Sequence, residues 1–468
     1  MNRVVRGNRG VTLIALVLTI VVLIILAMIT MAVLTGENGL IIRAIGARDE
    51  TRAAAEREAA LLGEMEGMID DWLSGNRSGG DDGDGNENGE DGPLVPLSGP
   101  GSEIKAGETA IGGNKIYIDA EGSRAVIPEG FRISDVVGEY IIQEGMVVIA
   151  PDQSEFVWVP VPFPVLEVSA TRTEAQIVTD INAQITQGRF PMAIRRTGSS
   201  NFRGVMYTFG SGTGGTAVTI TPVQHSTTAT REPDIVTDAT NGDASTTGVA
   251  EIRNILGSSS AWATLQNEWR THLQNEFNSM MTSVIEYGGF YIGRFHTSIR
   301  TGTENNAIVQ SRQNVQPMHS VNWYGLYQRQ REWSTRNNIT SATSAMIYGS
   351  QWDQVLIWMR NIDNPNVAGA KFIRNSTGKG WFDNNSDDIR QPTGTLPAAK
   401  VRNIFDMAGN VWDWTQTVLA TANRANRGGS LYDTAANFPV SSRVNGGPIL
   451  SNTYVGSRLQ LYIALDSE

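Results

Sequence analysis

From Val11 to Leu34 the chain runs 24 residues without a charged side chain, interrupted only by Thr12, Thr19 and Thr30. As an α-helix rising 1.5 Å per residue, this run is about 36 Å long, enough to cross a bilayer core of about 30 Å. Arg3, Arg6 and Arg9 precede it with no acid among the first ten residues. The positive-inside rule therefore keeps residues 1–10 in the cytoplasm and places the rest of the chain outside, on a single membrane helix. A cleaved secretory signal is the alternative. Its apolar core would be shorter and would end at a small-residue cleavage site, whereas TGENGLIIRA here continues as helix.

Beyond Gly36 and Gly39, which loosen the helix, residues 40–73 read as a helical stalk. Leu61, Leu62, Met65, Ile69 and Trp72 recur at three-to-four spacing, and Arg52 can pair with Glu56 across one turn. That stripe packs either on the chain's own globular part or on neighbouring subunits. Residues 74–103 are rich in Gly, Asp and Asn, and 81–91 hold six acids and no base. Such a composition buries too little apolar surface to fold, so this is a self-repelling flexible tether.

From about Ile104 the pattern changes to short strands and turns. NKIYIDAEG, RAVIPEGF and YIIQEGMVVIA mark a small β-rich region over 104–155, and EFVWVPVPF opens the main domain at 156–468. The alternation in IYID and FVWVPV predicts half-buried strands. Residues 197–248, dominated by Thr, Gly and Ser, read as long loops or an inserted hairpin. The clearest helix follows, capped by Ser260, with Trp262, Leu265, Trp269, Leu273, Phe277, Met280 and Val284 as one apolar stripe. The fold class is α+β: a long N-terminal helix, a tether, then short strands with two or three helices and long loops.

Composition narrows the chemistry. The formal charge of -11 argues against a nucleic-acid partner, which needs a broad cationic face. The chain has no cysteine, which removes disulfides, thiolate metal sites and cysteine nucleophiles together. Four histidines occur (His225, His272, His296, His319), and the nearest two are 23 residues apart, without metal-ligand spacing. No nucleophile-elbow pattern is present. These observations point to a binding module rather than an enzyme.

The basic leader ending in Gly10, followed by Val11-Thr12-Leu13-Ile14, resembles type IV prepilins and pseudopilins. The resemblance implies cleavage by a prepilin peptidase after Gly10, methylation of the Val11 amine and association with other pilin-like subunits. Loss of the three leader arginines takes the formal charge from -11 to -14. The family usually carries a glutamate at the fifth mature position, where this chain has Ala15. That departure argues against polymerisation as a major pilin.

Three further segments carry a second resemblance: YGGFYIGRF (287–295), NIFDMAGNVWDWT (403–415) and RGGSLYD (427–433). With SVNWYGLYQ (320–328), SAMIYGSQWDQV (344–355) and a closing VGSRLQLYI (455–463), they are similar to the sulfatase-modifying, formylglycine-generating branch of the C-type lectin fold. Trp412 and Trp414, at i and i+2, are expected to point to one side of an extended segment, into the core. The family's catalytic cysteines and clustered histidines are missing here, so its chemistry does not carry over. The resemblance also implies a structural Ca2+ held by Asp406, Asp413 and the backbone oxygens of Gly409 and Val411. The alternative is that Asp406 caps a turn and Asp413 is a solvated acid.

Lectin-fold domains with RGGS near the end and a closing glycine–arginine strand resemble the variable proteins of diversity-generating retroelements. Those elements mutate adenines in AAY codons, and the products cannot encode Lys, Gln, Glu, Met or Trp. None of the five occurs in the 43 residues from Thr417 to Leu459. On this reading Arg427 to Ser430, Pro439, Arg443 and Gly456 are scaffold. Leu431, Asp433, Asn437, Phe438, Val444, Asn445, Ile449 and Asn452 are variable, loop-borne, exposed and ligand-binding. The functional expectation is a surface-displayed receptor for an extracellular protein or carbohydrate. A diverged extracellular enzyme and a structural cap on a pilus-like assembly are the alternatives.

Overall fold

The computed structural model describes residues 113–211, 218–222, 246–304, 306–360, 369–374, 376, 390–420 and 423–465. The chain divides into two units, Met1–Glu90 and Asp91–Glu468, and every described residue belongs to the second. The expected leader, membrane helix, stalk and tether, with Gly10, Val11 and Ala15, lie outside the described residues. Among the described residues no helix is long and apolar enough to cross a membrane.

The described domain is mixed α and β, with many short strands. A six-stranded antiparallel sheet runs in the order Ala342–Met346, Leu459–Ile463, Gly289–Gly293, Glu155–Pro160, Val147–Ile149, Arg132–Ile133. Its strand periodicity of two feeds two separate cores. Phe156, Trp158, Tyr291, Leu459, Leu461 and Ile463 join one apolar cluster, while Val157, Val159, Phe290, Ile292 and Tyr462 join another. The helix Trp323–Arg331 packs into the first cluster and Gly349–Arg360 into the second. FVWVPV is therefore not the half-buried strand its alternation suggests, because a helix covers each face. From the β-rich region 104–155, Arg132–Ile133 and Val147–Ile149 pair directly into this sheet.

The predicted apolar stripe forms the helix Trp262–Tyr287, which touches both cores: Leu265, Trp269 and Leu273 enter one, and Phe277, Met280 and Val284 the other. Its N-cap is Ala261 rather than Ser260, whose hydroxyl is drawn 2.7 Å onto Glu268. The helix ends at Gly288, whose φ of +80 takes the left-handed region and whose amide donates to the Val284 carbonyl. A Cβ on Gly289 would sit 2.5 Å from the Trp158 ring, so only glycine fits. Two helices of more than ten residues go beyond the expected two or three. Glu174–Ile185 opens with a Thr173/Gln176 capping box, and Thr246–Leu256 adds Ile252 to the first core. Within 197–248, Tyr207–Ser211 and Val218–Pro222 form an antiparallel hairpin.

A second, four-stranded sheet carries the C-terminal loops, in the order Arg443–Gly446, Asn423–Arg427, Trp412–Ala420, Val455–Ser457. Its last pairing is parallel and the others antiparallel. Trp412 and Trp414 both join the first core, as their spacing predicts. Arg458 lies between the strand Val455–Ser457 of this sheet and Leu459–Ile463 of the other. Its wholly buried guanidinium donates to the Gly293 and Phe405 carbonyls, each at 2.9 Å, and so ties the six-stranded sheet to the short strand Ile404–Phe405.

Candidate functional site

The RGGS segment is built as a buried platform. Asp353, on the helix Gly349–Arg360, reaches Arg427 Nη2 at 2.5 Å and Arg443 Nη2 at 2.9 Å, and also accepts from the Tyr207 amide at 2.8 Å. One carboxylate thus links the neighbouring strands Asn423–Arg427 and Arg443–Gly446 of the second sheet to the helical layer. Gly428 follows with φ +91, and a Cβ there would lie 2.6 Å from the Met407 carbonyl oxygen, so the turn requires glycine. Ser430 donates from both its amide (2.8 Å) and its hydroxyl (2.7 Å) to Asp433 Oδ2, which closes the turn.

The eight residues expected to be exposed separate into groups. Leu431 is buried, at 6 % exposure, and its amide donates to the Asn410 carbonyl. Phe438, Val444 and Ile449 are half-buried and pack on the first core. The Phe438 ring meets Trp412 edge-on at 5.6 Å. Val444 and Asn445 lie on the strand Arg443–Gly446, not on a loop. Asp433 is half-buried and occupied by Ser430, and Asn452 is half-buried, with its carbonyl accepting from the Ser320 amide at 2.9 Å. Only Asn437 and Asn445 are exposed. The expectation of eight exposed positions is corrected accordingly: a codon pattern carries no information on which way a side chain faces.

Exposed apolar surface on these loops comes from other residues. Tyr432, Leu450 and Tyr454 are 50 %, 53 % and 38 % exposed. The rings of Tyr432 and Tyr454 meet edge-on at 5.8 Å with an interplanar angle of 88°. They join two loops that are 22 residues apart in the chain. The Tyr454 carbonyl accepts from the Trp412 amide at 2.9 Å, so the pair is seated on the core tryptophan strand. Two tyrosines flanking a segment rich in Gly, Ser and Asn are the sequence signal that would have found them.

Asp406 and Asp413 are wholly buried and already engaged. Asp406 Oδ2 accepts from the Thr393 hydroxyl and the Gly394 amide, both at 2.7 Å. Asp413 contacts His296 Nδ1 at 3.1 Å and lies 3.5 Å from Arg458 Nε. Burial pushes the Arg458 guanidinium down from its ordinary value, and Asp413 and Asp406 pull it back up. Both carboxylates therefore compensate a buried cation, so Asp413 is not a solvated acid. A dication held by Asp406, Asp413 and the Gly409 and Val411 carbonyls would have to compete with that guanidinium for the two carboxylates. Among the described residues no three His, Cys, Asp or Glu side chains gather as a metal site. His296 is wholly buried.

No protein-family model matches the chain, and neither does any curated protein sequence. Among solved structures, Treponema denticola variable protein 1 is similar at 16 % identity, over 37 % of this chain and 84 % of that one, with a TM-score of 0.27. CarF is similar at 15 % identity over 38 % and 87 %, with a TM-score of 0.26. PvdO from Pseudomonas aeruginosa is similar at 13 % identity over 38 % and 82 %, with a TM-score of 0.27.

Proposed function

We propose that this chain is a surface-displayed ligand-binding protein: a pilin-like anchor processed after Gly10, an acidic tether, and a C-type-lectin-like head of the formylglycine-generating type. The observation that carries the reading is the exposed Tyr432–Tyr454 pair, held on loops whose bases are locked by Asp353, Arg427 and Arg443. Tyrosine supplies a large, rigid contact area with a polar tip at low entropic cost, and it recurs in binding loops for that reason. Apolar side chains left in water on a rigid platform mark an interaction site. Asn437 and Asn445, also exposed, add hydrogen-bonding capacity to the same loops. The reading assigns no catalytic residue. In its finer form, the exposed positions of 417–459 are diversified at the DNA level while the platform stays constant.

The test is binding of the full chain, in nanodiscs, to arrays of extracellular proteins and glycans. A specific hit that the Tyr432→Ser/Tyr454→Ser double variant loses at least tenfold supports the proposal. A hit that the double variant keeps in full places the binding face elsewhere.

A further inference from the structure

We infer that the head carries a second, separate binding site: a cavity for a small anionic ligand with a flat apolar body, an aromatic carboxylate in chemical class. The cavity, of about 610 Å³, opens between the Arg124 strand, the Pro160–Phe163 turn, the Gly188–Phe190 loop and the last turns of two helices. Its size falls within the range of about 300–1,000 Å³ typical of small-molecule sites. None of its lining residues belongs to the C-terminal segment that carries the tyrosine pair.

Three observations converge on the ligand class. The lining holds two arginines, Arg124 and Arg189, and no acid, in a chain whose formal charge is -11. Both arginines are exposed, and neither takes a carboxylate partner among the described residues. The nearby Asp119 is not available to them. It is buried, and its two oxygens accept from the amides of Glu121, Ser123 and Ile142. A planar guanidinium without an acid partner matches a carboxylate through two parallel hydrogen bonds.

The second observation is an orphan donor. Trp358 lines the cavity, is 6 % exposed, and its buried indole N–H has no hydrogen-bond partner among the described residues. An indole N–H can only donate, so what it lacks is an acceptor, and a ligand oxygen would supply one. The third is the wall. Phe163, Tyr287 and Ile357 line the cavity with apolar surface, and Arg189 lies over the Phe163 ring at 5.7 Å. Such a wall takes a flat ring while the cationic rim and the indole take its carboxylate.

The experiment is calorimetric titration of the full chain with 2-naphthoate, with 2-naphthamide and acetate as controls for the charge and the ring. The expected result is one saturable site for naphthoate, with naphthamide and acetate each at least tenfold weaker. Arg124→Gln/Arg189→Gln, at two exposed positions, should weaken naphthoate at least tenfold. Trp358→Phe, which keeps a ring and removes the N–H, should weaken it several-fold. Naphthoate that shows no saturable binding, binds no better than naphthamide, or binds the double arginine variant unchanged would overturn the inference. The Tyr432→Ser/Tyr454→Ser variant should bind naphthoate as wild type does, which keeps this site's test separate from that of the tyrosine face.

Discussion

The Asp353 carboxylate holds the Arg427 guanidinium at 2.5 Å, with both side chains wholly buried and 74 residues apart in the chain. Removing one partner of a buried ion pair leaves an uncompensated charge, which costs about 3–5 kcal/mol. Asp353→Ala would strand Arg427 and, beside it, Arg443. The unfolding free energy from urea denaturation should fall by about that amount. A loss below about 1 kcal/mol would mean that the pair is not what anchors the RGGS platform.

Tyr432 and Tyr454 should behave in the opposite way. Both are well exposed, and surface substitutions away from buried features usually change stability by less than about 0.5 kcal/mol. Their edge-on contact adds about 0.5–1.5 kcal/mol at most. Alanine at either position should therefore lower the unfolding free energy by no more than about 1.5 kcal/mol. A loss above about 2 kcal/mol for either one would make the pair part of the core, and the binding-face reading would lose its support.

The contrast between these two pairs shows what a single sequence carries. The stripe from Leu265 to Val284 is legible because neighbours on one helix face recur at a fixed local spacing. So is the need for glycine in RGGS, where the backbone makes the demand. The capping box at Thr173 and Gln176 was equally local and available. What cannot be read locally is which distant segments meet. The Asp353–Arg427 link and the Tyr432–Tyr454 contact depend on the two-sheet arrangement. The double burial of Phe156–Val159 depends on helices that come much later in the chain. Leu431 is the sharpest case. Its residue type fits a diversified loop, yet its side chain is buried, on a backbone whose amide is tied to Asn410, far off in the chain.

Calcium supplies a direct test of the resemblance against the geometry. A cation that binds only the folded chain at about 100 times its Kd adds roughly 2.7 kcal/mol of stability. With Asp406 held by Thr393 and Gly394, and Asp413 beside Arg458, the melting temperature should be the same in calcium and in chelator. A rise with calcium that Asp413→Ala abolishes would restore the metal site and require the Arg458 cluster to rearrange.

His272 should make the domain sensitive to acid. Burial pushes its imidazole below the ordinary value of 6.5, with Glu276 pulling it up and Arg331 pushing it further down. Its Nε2 lies 2.9 Å from the Tyr327 hydroxyl, and the ring stacks on Trp269 at 5.4 Å. The folded state thus favours neutral histidine. As pH falls through about 6.5 the unfolded chain takes up a proton that the folded chain refuses, so stability drops until the folded value is reached. His319, lowered by burial and by Arg390, acts in the same sense. Glu155, raised above 4.5 by burial, acts in the opposite sense just above that value. Comparing wild type with His272→Gln cancels both. Between about pH 7.5 and about pH 5.5 the variant should lose less stability than wild type. Equal losses would show that His272 takes no part.

Diversification can be decided from the surrounding DNA. The absence of Lys, Gln, Glu, Met and Trp over Thr417–Leu459 is what replacement of adenines in AAY codons would leave at the mutated positions. Tyrosine is among the residues such codons can reach, so Tyr432 and Tyr454 join Asn437 and Asn445 as exposed positions of that kind. A near-copy of the coding segment, differing only where the copy has adenine, should lie close by, beside a reverse transcriptase gene. The differences should fall on codons such as those of Tyr432, Asn437, Asn445 and Tyr454. They should spare Arg427, Gly428 and Gly456, because Arg427 is paired to Asp353 and a Cβ on either glycine would lie within 3 Å of a backbone carbonyl oxygen. A copy whose differences fall on those three codons would contradict the platform reading. If the neighbouring DNA holds no such repeat, the diversification idea fails and leaves a receptor of fixed specificity.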